Sequence, residues 1–214
     1  MDTYSLDNVG IVLGTHNDEK ASELSLLLQG LPLNLVSAKD LNEVASLEEI
    51  GTTHYENACH KARYWSSVSG GLAIASDGGL VIPSMFGIWN SLYTNRTFID
   101  LPVEQRSAAL IELVDRHQPL NRSAFWIEAV AVAVGGISLA AWVARSTVGY
   151  IALWVNDHNP RPQFWVNGAW YFPQLGKYYG FLTERERALY PDHWAVLGPQ
   201  INSFFQNYLV KRFD

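Results

Sequence analysis

Cysteine is almost absent from this sequence: Cys59 is the only one in 214 residues. An intrachain disulfide and a cysteine metal knot are therefore excluded. No uninterrupted apolar stretch is long enough to cross a membrane, and the longest candidate, AVAVAVGGISLAAWVA, is broken by Gly135-Gly136. The opening MDTYSLDNVG has no basic segment followed by an apolar core, so neither a signal peptide nor a membrane anchor is expected, and a cytoplasmic location follows. Basic charge is also scarce. With 15 Lys and Arg against 21 Asp and Glu, the net charge of −6 argues against nucleic acid or an anionic membrane as partner. A few local lysines can still hold a small phosphorylated molecule. The P-loop, G-x-G-x-x-G, H-E-x-x-H and G-x-S-x-G signatures are all missing.

What is present is a globular chain, 48% hydrophobic and 17% charged, long enough for a proper core. VGIVLG at 9–14 reads as a buried strand, followed by a helix capped by Asn17 with Leu24, Leu27, Leu28 and Leu31 on one face. LNLV at 33–36 is a second strand, so the chain starts as strand, helix, strand. Thr53 and Glu56 have capping-box spacing and open a second helix, with Tyr55, Ala58, Ala62 and Trp65 inward and Gly70-Gly71 stopping it. A third helix starts at Pro102 with Leu110, Leu113 and Val114 inward. A long hairpin covers 124–145 around Gly135-Gly136, and GYIALWV is a further strand. Pro199 opens a last helix that buries Ile201, Phe204, Phe205, Tyr208 and Leu209.

Three polar stretches stand out. GTHNDEK brings Thr15, Asn17 and Lys20 to a helix N-terminus, where unpaired amides and the helix dipole favour an anion, although capping alone would also explain Asn17. SLEEIGTTHYENACHKA carries Glu48 and Glu49 ahead of the second helix and Lys61 within it. LAIASDGGLVI sets Asp77 alone between apolar runs, in an Asp-Gly pair that is also a strong turn signal. His54 and His60, six apart, do not share a helix face as a metal pair would, and both read as ordinary.

Taken together, T-x-N-x-x-K, then E-E-x-G-x-T-x-x-E-N-A-x-x-K-A, then A-x-D-x-G-L resemble the inosine triphosphate pyrophosphatase family over roughly the first 95 residues. The resemblance implies an α/β fold: one domain over 1–214, an elongated mixed sheet with flanking helices, and two lobes around a central groove. It also implies a cytosolic, commonly homodimeric Mg²⁺-dependent hydrolase that cuts non-canonical purine triphosphates to monophosphate and pyrophosphate. Thr15, Asn17 and Lys20 align with the triphosphate-binding turn and Lys61 with a second phosphate lysine. Glu49 aligns with a metal-binding glutamate, and Asp77 with the acid that helps hold metal and orient the attacking water. On this reading the Asp77 turn is a mount for a catalytic acid.

The sequence also departs from the family. The first aspartate of the A-D-D-S-G-L pair is Ser76, its serine is Gly78, and Leu92 stands where the P-G-x-Y-S-A-R arginine would be. Phe164, Asn167 and Gly168 stand near the aromatic, aspartate and proline of G-F-G-Y-D-P. The closing S-H-R is absent, with Asp192 and His193 in its approximate place and Arg187 for a nearby lysine. Trp165, Trp170 and Trp194 offer stacking surfaces, with core packing as the alternative. The phosphate half is kept and the base half rewritten, which implies a nucleotide pyrophosphohydrolase of altered base choice. A hydrolase of another phosphorylated or nucleoside-like substrate, and a non-catalytic nucleotide-binding homologue, remain open alternatives.

Overall fold

Strict side-chain alternation along three neighbouring strands decides where the helices pack. The computed structural model describes residues 9–41, 47, 49–156, 158 and 164–213, apart from the side chains of 9 and 209–213. Glu48 and the Leu209 side chain thus lie outside the described residues. The chain is a mixed α/β fold that divides into two compact units: Met1–Asp77 with Glu128–Ala144 and Trp194–Asp214, and Gly78–Ile127 with Arg145–His193.

In the first unit, β1 (Val9–Leu13) pairs in parallel with both β2 (Leu33–Ser37) and β3 (Leu72–Val81). β4 (Ser123–Val134) lies beside β3, and β5 (Ile137–Arg145) pairs with β4. Gly135 and Gly136, at φ 51° and 84°, supply the two left-handed residues of the hairpin turn between them. Ile11 and Leu13, Leu72 and Ile74, and Val130 and Val132 point to one face. There they meet Leu24, Leu27 and Leu28 of α1 (Asp18–Leu27 and its C-cap) and Leu197, Ile201 and Phe205 of α5 (His193–Phe213).

The opposite face is small. Ala75, Ala129, Ala131 and Ala133 pack against Ala58, Cys59 and Ala62 of α2 (His54–Ser69), while Val12 and Ala73 pack on Trp65. Alanine on both sides leaves little bulk between helix and sheet. Counting by twos from Ala73 and Ala75 places Asp77 on the face that α2 covers.

In the second unit α3 (Val103–His117) buries Leu110, Ile111 and Val114. β4 pairs antiparallel with β6 (Gly149–Ile151), β6 with β7 (Trp170–Phe172), and β7 with β8 (Lys177–Tyr178). Short α4 (Glu184–Leu189) has a capping box of Thr183 and Glu186. Trp126, Trp165, Trp170 and Phe172 form the centre of this core.

Four local expectations need correction. Asp77 is not in a turn. β3 runs unbroken through Asp77-Gly78-Gly79, none of which has positive φ, because Gly79 serves a close approach: a Cβ there would meet the Ser91 carbonyl oxygen at 2.0 Å. Tyr55 is half exposed, since the buried stripe of α2 passes through Asn57, Ala58, Ala62 and Trp65. Pro199 lies inside α5, which already starts at His193. Of GYIALWV, only Gly149–Ile151 is strand.

Candidate active site

The start of α2 is built by the motif that precedes it. Thr53 Oγ1 accepts the Glu56 N–H at 3.1 Å, and Glu56 Oε2 accepts the Thr52 and Thr53 N–H groups at 2.7 and 3.2 Å. Asn57 Oδ1 accepts the Gly51 N–H at 2.8 Å, and a Cβ on Gly51 would stand 2.6 Å from that same oxygen. Only glycine lets the loop close so tightly. The loop is thereby pinned against the helix, and His54 becomes its first residue.

Asp77 is buried against that helix start. His54 Nδ1 lies 2.6 Å from Asp77 Oδ2, Asn57 Nδ2 approaches the same oxygen at 3.5 Å, and Lys61 Nζ donates to Asp77 Oδ1 at 2.7 Å. Lys61 Nζ also donates to Glu49 Oε1, so one ammonium joins two carboxylates. On α1, Lys20 Nζ lies 3.5 Å from the buried carboxylate of Glu128. Burial pushes the Asp77 carboxyl up, but the His54 hydrogen bond and the charges of Lys20 and Lys61 outweigh it. They hold Asp77 well below the usual carboxylate range.

Thr15 and Asn17 form the turn before α1. Asn17 Oδ1 accepts from the Glu19 and Lys20 N–H groups at 2.9 and 3.1 Å, and Thr15 Oγ1 accepts from Asn17 N–H at 3.1 Å. The cap that alone would explain Asn17 is thus present. Ser76 and Gly78 alternate to the strand face opposite Asp77, and the buried Ser76 hydroxyl has no hydrogen-bond partner among the described residues.

The remaining predicted residues fall in the second unit. Trp126 gathers two of them: its ring lies 4.9 Å from Phe164 and stacks at 5.8 Å on His193. Asp192 Oδ2 accepts from Tyr179 Oη at 2.9 Å and from Arg187 Nη1 at 3.0 Å, and the Arg187 guanidinium lies over the Tyr179 ring. Asn167 is buried, and its Oδ1 is without a partner among the described residues. Trp165 and Trp170 are core residues, and Trp194 packs on the core of the first unit, so packing accounts for all three.

Glu49 and Asp77 converging on one ammonium, with three carboxylates against two lysines, is an arrangement that attracts a cation and an anion together. A model described as the Ham1 family matches residues 11–159. The chain belongs to the Ham1 family. The dITP/XTP pyrophosphatase of Xanthomonas oryzae pv. oryzae is 36% identical over 139 residues, covering 54% of this chain and 69% of that protein. The dITP/XTP pyrophosphatase of Thermoanaerobacter sp. is 26% identical over 211 residues, covering 95% of this chain and 98% of that protein. In fold the chain is similar to a Ham1 protein from Coxiella burnetii, with TM-score 0.74, 24% identity, and coverage of 93% of this chain and 99% of that one.

Sequence reasoning missed three residues at the site of this Ham1-family chain. Metal-pair spacing does not reveal His54. Strand parity from Ala73 through Asp77 would have placed Asp77 over α2, and His54 is the first residue of that helix. Asn57, within the E-N-A motif, joins Gly51 to the Asp77 carboxylate. Glu128 had a legible signal as the one charged residue in the apolar run AFWIEAVAVAV.

Proposed function

We propose that this chain is a divalent-cation-dependent nucleotide pyrophosphohydrolase that converts a nucleoside triphosphate to the monophosphate and pyrophosphate. The observation that carries the reading is Lys61 joining Glu49 to Asp77, with Lys20 and its buried partner Glu128 supplying the second cation. The donor set suits Mg²⁺. No group of three or more His, Cys, Asp or Glu among the described residues is placed to hold a metal alone. Mg²⁺ is commonly held by one or two carboxylates, with phosphate oxygens and water completing its shell. Glu49 and Asp77 would be those carboxylates. When bound there, the cation stabilises the charge that develops on the leaving pyrophosphate.

Lys20 and Lys61 would neutralise the triphosphate, and Lys61 would exchange its carboxylate partners for phosphate oxygens. The Thr15 hydroxyl would receive the terminal phosphates at the positive end of α1, whose Glu19 and Lys20 N–H groups are already taken by Asn17. Water attacks the α-phosphorus, the bond from that phosphorus to the bridging oxygen breaks, and the water proton is released to solvent. Asp77 would orient the attacking water.

Base choice differs from that of the inosine triphosphate pyrophosphatases in this reading. Ser76, Gly78, Phe164, Asn167, Arg187, Asp192 and His193 stand where the family's substrate contacts align. Two of them, Arg187 and Asp192, are bonded to each other and to Tyr179. Groups already paired make poor readers of a purine edge. A site without its partner groups commonly forfeits about a hundredfold discrimination, roughly 3 kcal/mol.

A panel of nucleotides assayed with Mg²⁺ for pyrophosphate and phosphate release tests both points. The expected result is pyrophosphate release with little preference for inosine triphosphate over ATP and GTP. No release from any nucleotide would leave a binding protein. A hundredfold preference for inosine triphosphate would show that the family's base recognition has been rebuilt.

A further inference from the structure

We propose that His54 is a positioning residue that fixes which oxygen of Asp77 faces the cation. This rests on the reading of Glu49 and Asp77 as metal-holding carboxylates. An aspartate carboxylate rotates about a broad, roughly two-fold torsion, so an unheld one presents either oxygen with little preference. In this protein the two oxygens have different partners. Oδ2 is held by His54 Nδ1 at 2.6 Å, and Oδ1 faces Lys61 at 2.7 Å. Because Lys61 also holds Glu49, Oδ1 is the oxygen that shares a point with Glu49.

Two features make this placement specific. His54 is itself buried, so its ring cannot swing into solvent, and it is the first residue of a helix whose start is locked by the Thr53–Glu56 capping box. Asn57, one turn along, approaches the same Oδ2 at 3.5 Å and is fixed by its contact with Gly51. His54 and Asn57 thus occupy one oxygen, and the other faces the point where Lys61 meets Glu49. A hydrogen bond from outside the ligand set that orients a ligating group typically accounts for 10–100-fold in metal affinity.

The test compares His54→Phe, which keeps a ring and removes the donor, with His54→Asn, whose amide nitrogen can occupy the Nδ1 position. Mn²⁺ alone, with the EPR signal of the free ion as readout, probes the site in the full chain. Thermal unfolding of each variant checks that it is folded. His54→Phe should weaken Mn²⁺ binding at least tenfold, and His54→Asn should restore it to within threefold of the parent. In turnover, His54→Phe should raise the Mg²⁺ needed for half-maximal rate, with the nucleotide KM unchanged at saturating Mg²⁺. If His54→Phe binds Mn²⁺ within twofold of the parent while Asp77→Asn does not, His54 only fills space and the metal reading survives. Equal loss in His54→Phe and His54→Asn also overturns the role, because the N–H would then not be what matters. If Asp77→Asn itself leaves Mn²⁺ binding intact, the metal reading fails and the role of His54 fails with it.

Discussion

Gly79 approaches Ser91 so closely that a Cβ on it would stand 2.0 Å from the Ser91 carbonyl oxygen. The obstacle is backbone, which cannot turn aside as the end of a side chain can. Gly79→Ala should therefore cost at least about 3 kcal/mol, near the top of the usual range for overpacking. For a chain of this size that corresponds to a fall of roughly 6–12 °C in Tm. Calorimetry checks it; a Tm within 2 °C of the parent would mean that the two segments part easily.

Asp77→Asn keeps the shape and removes the charge. Lys61 retains Glu49, so the fold should survive. The expected loss in kcat/KM is at least a hundredfold, about 2.7 kcal/mol. Steady-state kinetics beside circular dichroism separates this from unfolding. Full turnover in a folded Asp77→Asn protein would reduce the residue to a structural role.

Thr53→Ala removes the side-chain acceptor of a helix cap and should destabilise the protein by about 1 kcal/mol. Thr53→Ser should recover most of that, because the hydroxyl still reaches the Glu56 N–H. Urea titrations of the three proteins give the comparison. Equal stability of the alanine and serine variants would show that the cap contributes nothing.

Glu186 sets a pH signature. Its hydrogen bond from Lys177, then those from the Thr183 backbone and hydroxyl, hold its carboxyl down at about 2, against an ordinary value of 4.5. A depressed carboxyl stabilises the folded state fully above its unfolded value and loses that effect as pH falls through its folded one. The stability gap between the parent and Glu186→Gln should therefore be constant above about pH 5 and close as pH falls toward 2. Denaturation midpoints across that range measure it, and a gap independent of pH would rule out an ionic contribution.

The parts of this protein legible from sequence are those fixed by near neighbours. The Asn17 cap, the Thr53–Glu56 box and the Gly135-Gly136 turn each depend on residues within a few positions, and each is found where the spacing places it. Lys61, Glu49 and Asp77 were legible as a set only through the resemblance, and the structure brings them to one point. The features that depart from the sequence pattern depend on distant chain. Asp-Gly favours a turn locally, yet Gly79 must remain extended to pass Ser91. Pro199 looks like a helix start, but the chain before it is already helical, and Trp194 and Leu197 are held there by the first unit's core. Helical phase puts Tyr55 on the apolar stripe, but the sheet face opposite is paved with alanine and leaves that position outside.

The loop-and-helix knot before His54 separates two kinds of letter within one motif. Gly51, Thr53 and Glu56 bond only within the loop and the first turn of α2, whereas Lys61 reaches out of the motif to Asp77 and joins Glu49 to it. A lineage that abandoned turnover but still had to fold would keep the first group under selection and let the second drift. In surveying divergent sequences of this kind, the frame and the charges should therefore be counted as separate ballots. This chain returns the frame together with Glu49, Lys61 and Asp77, while Ser76 stands where the resemblance places a first aspartate.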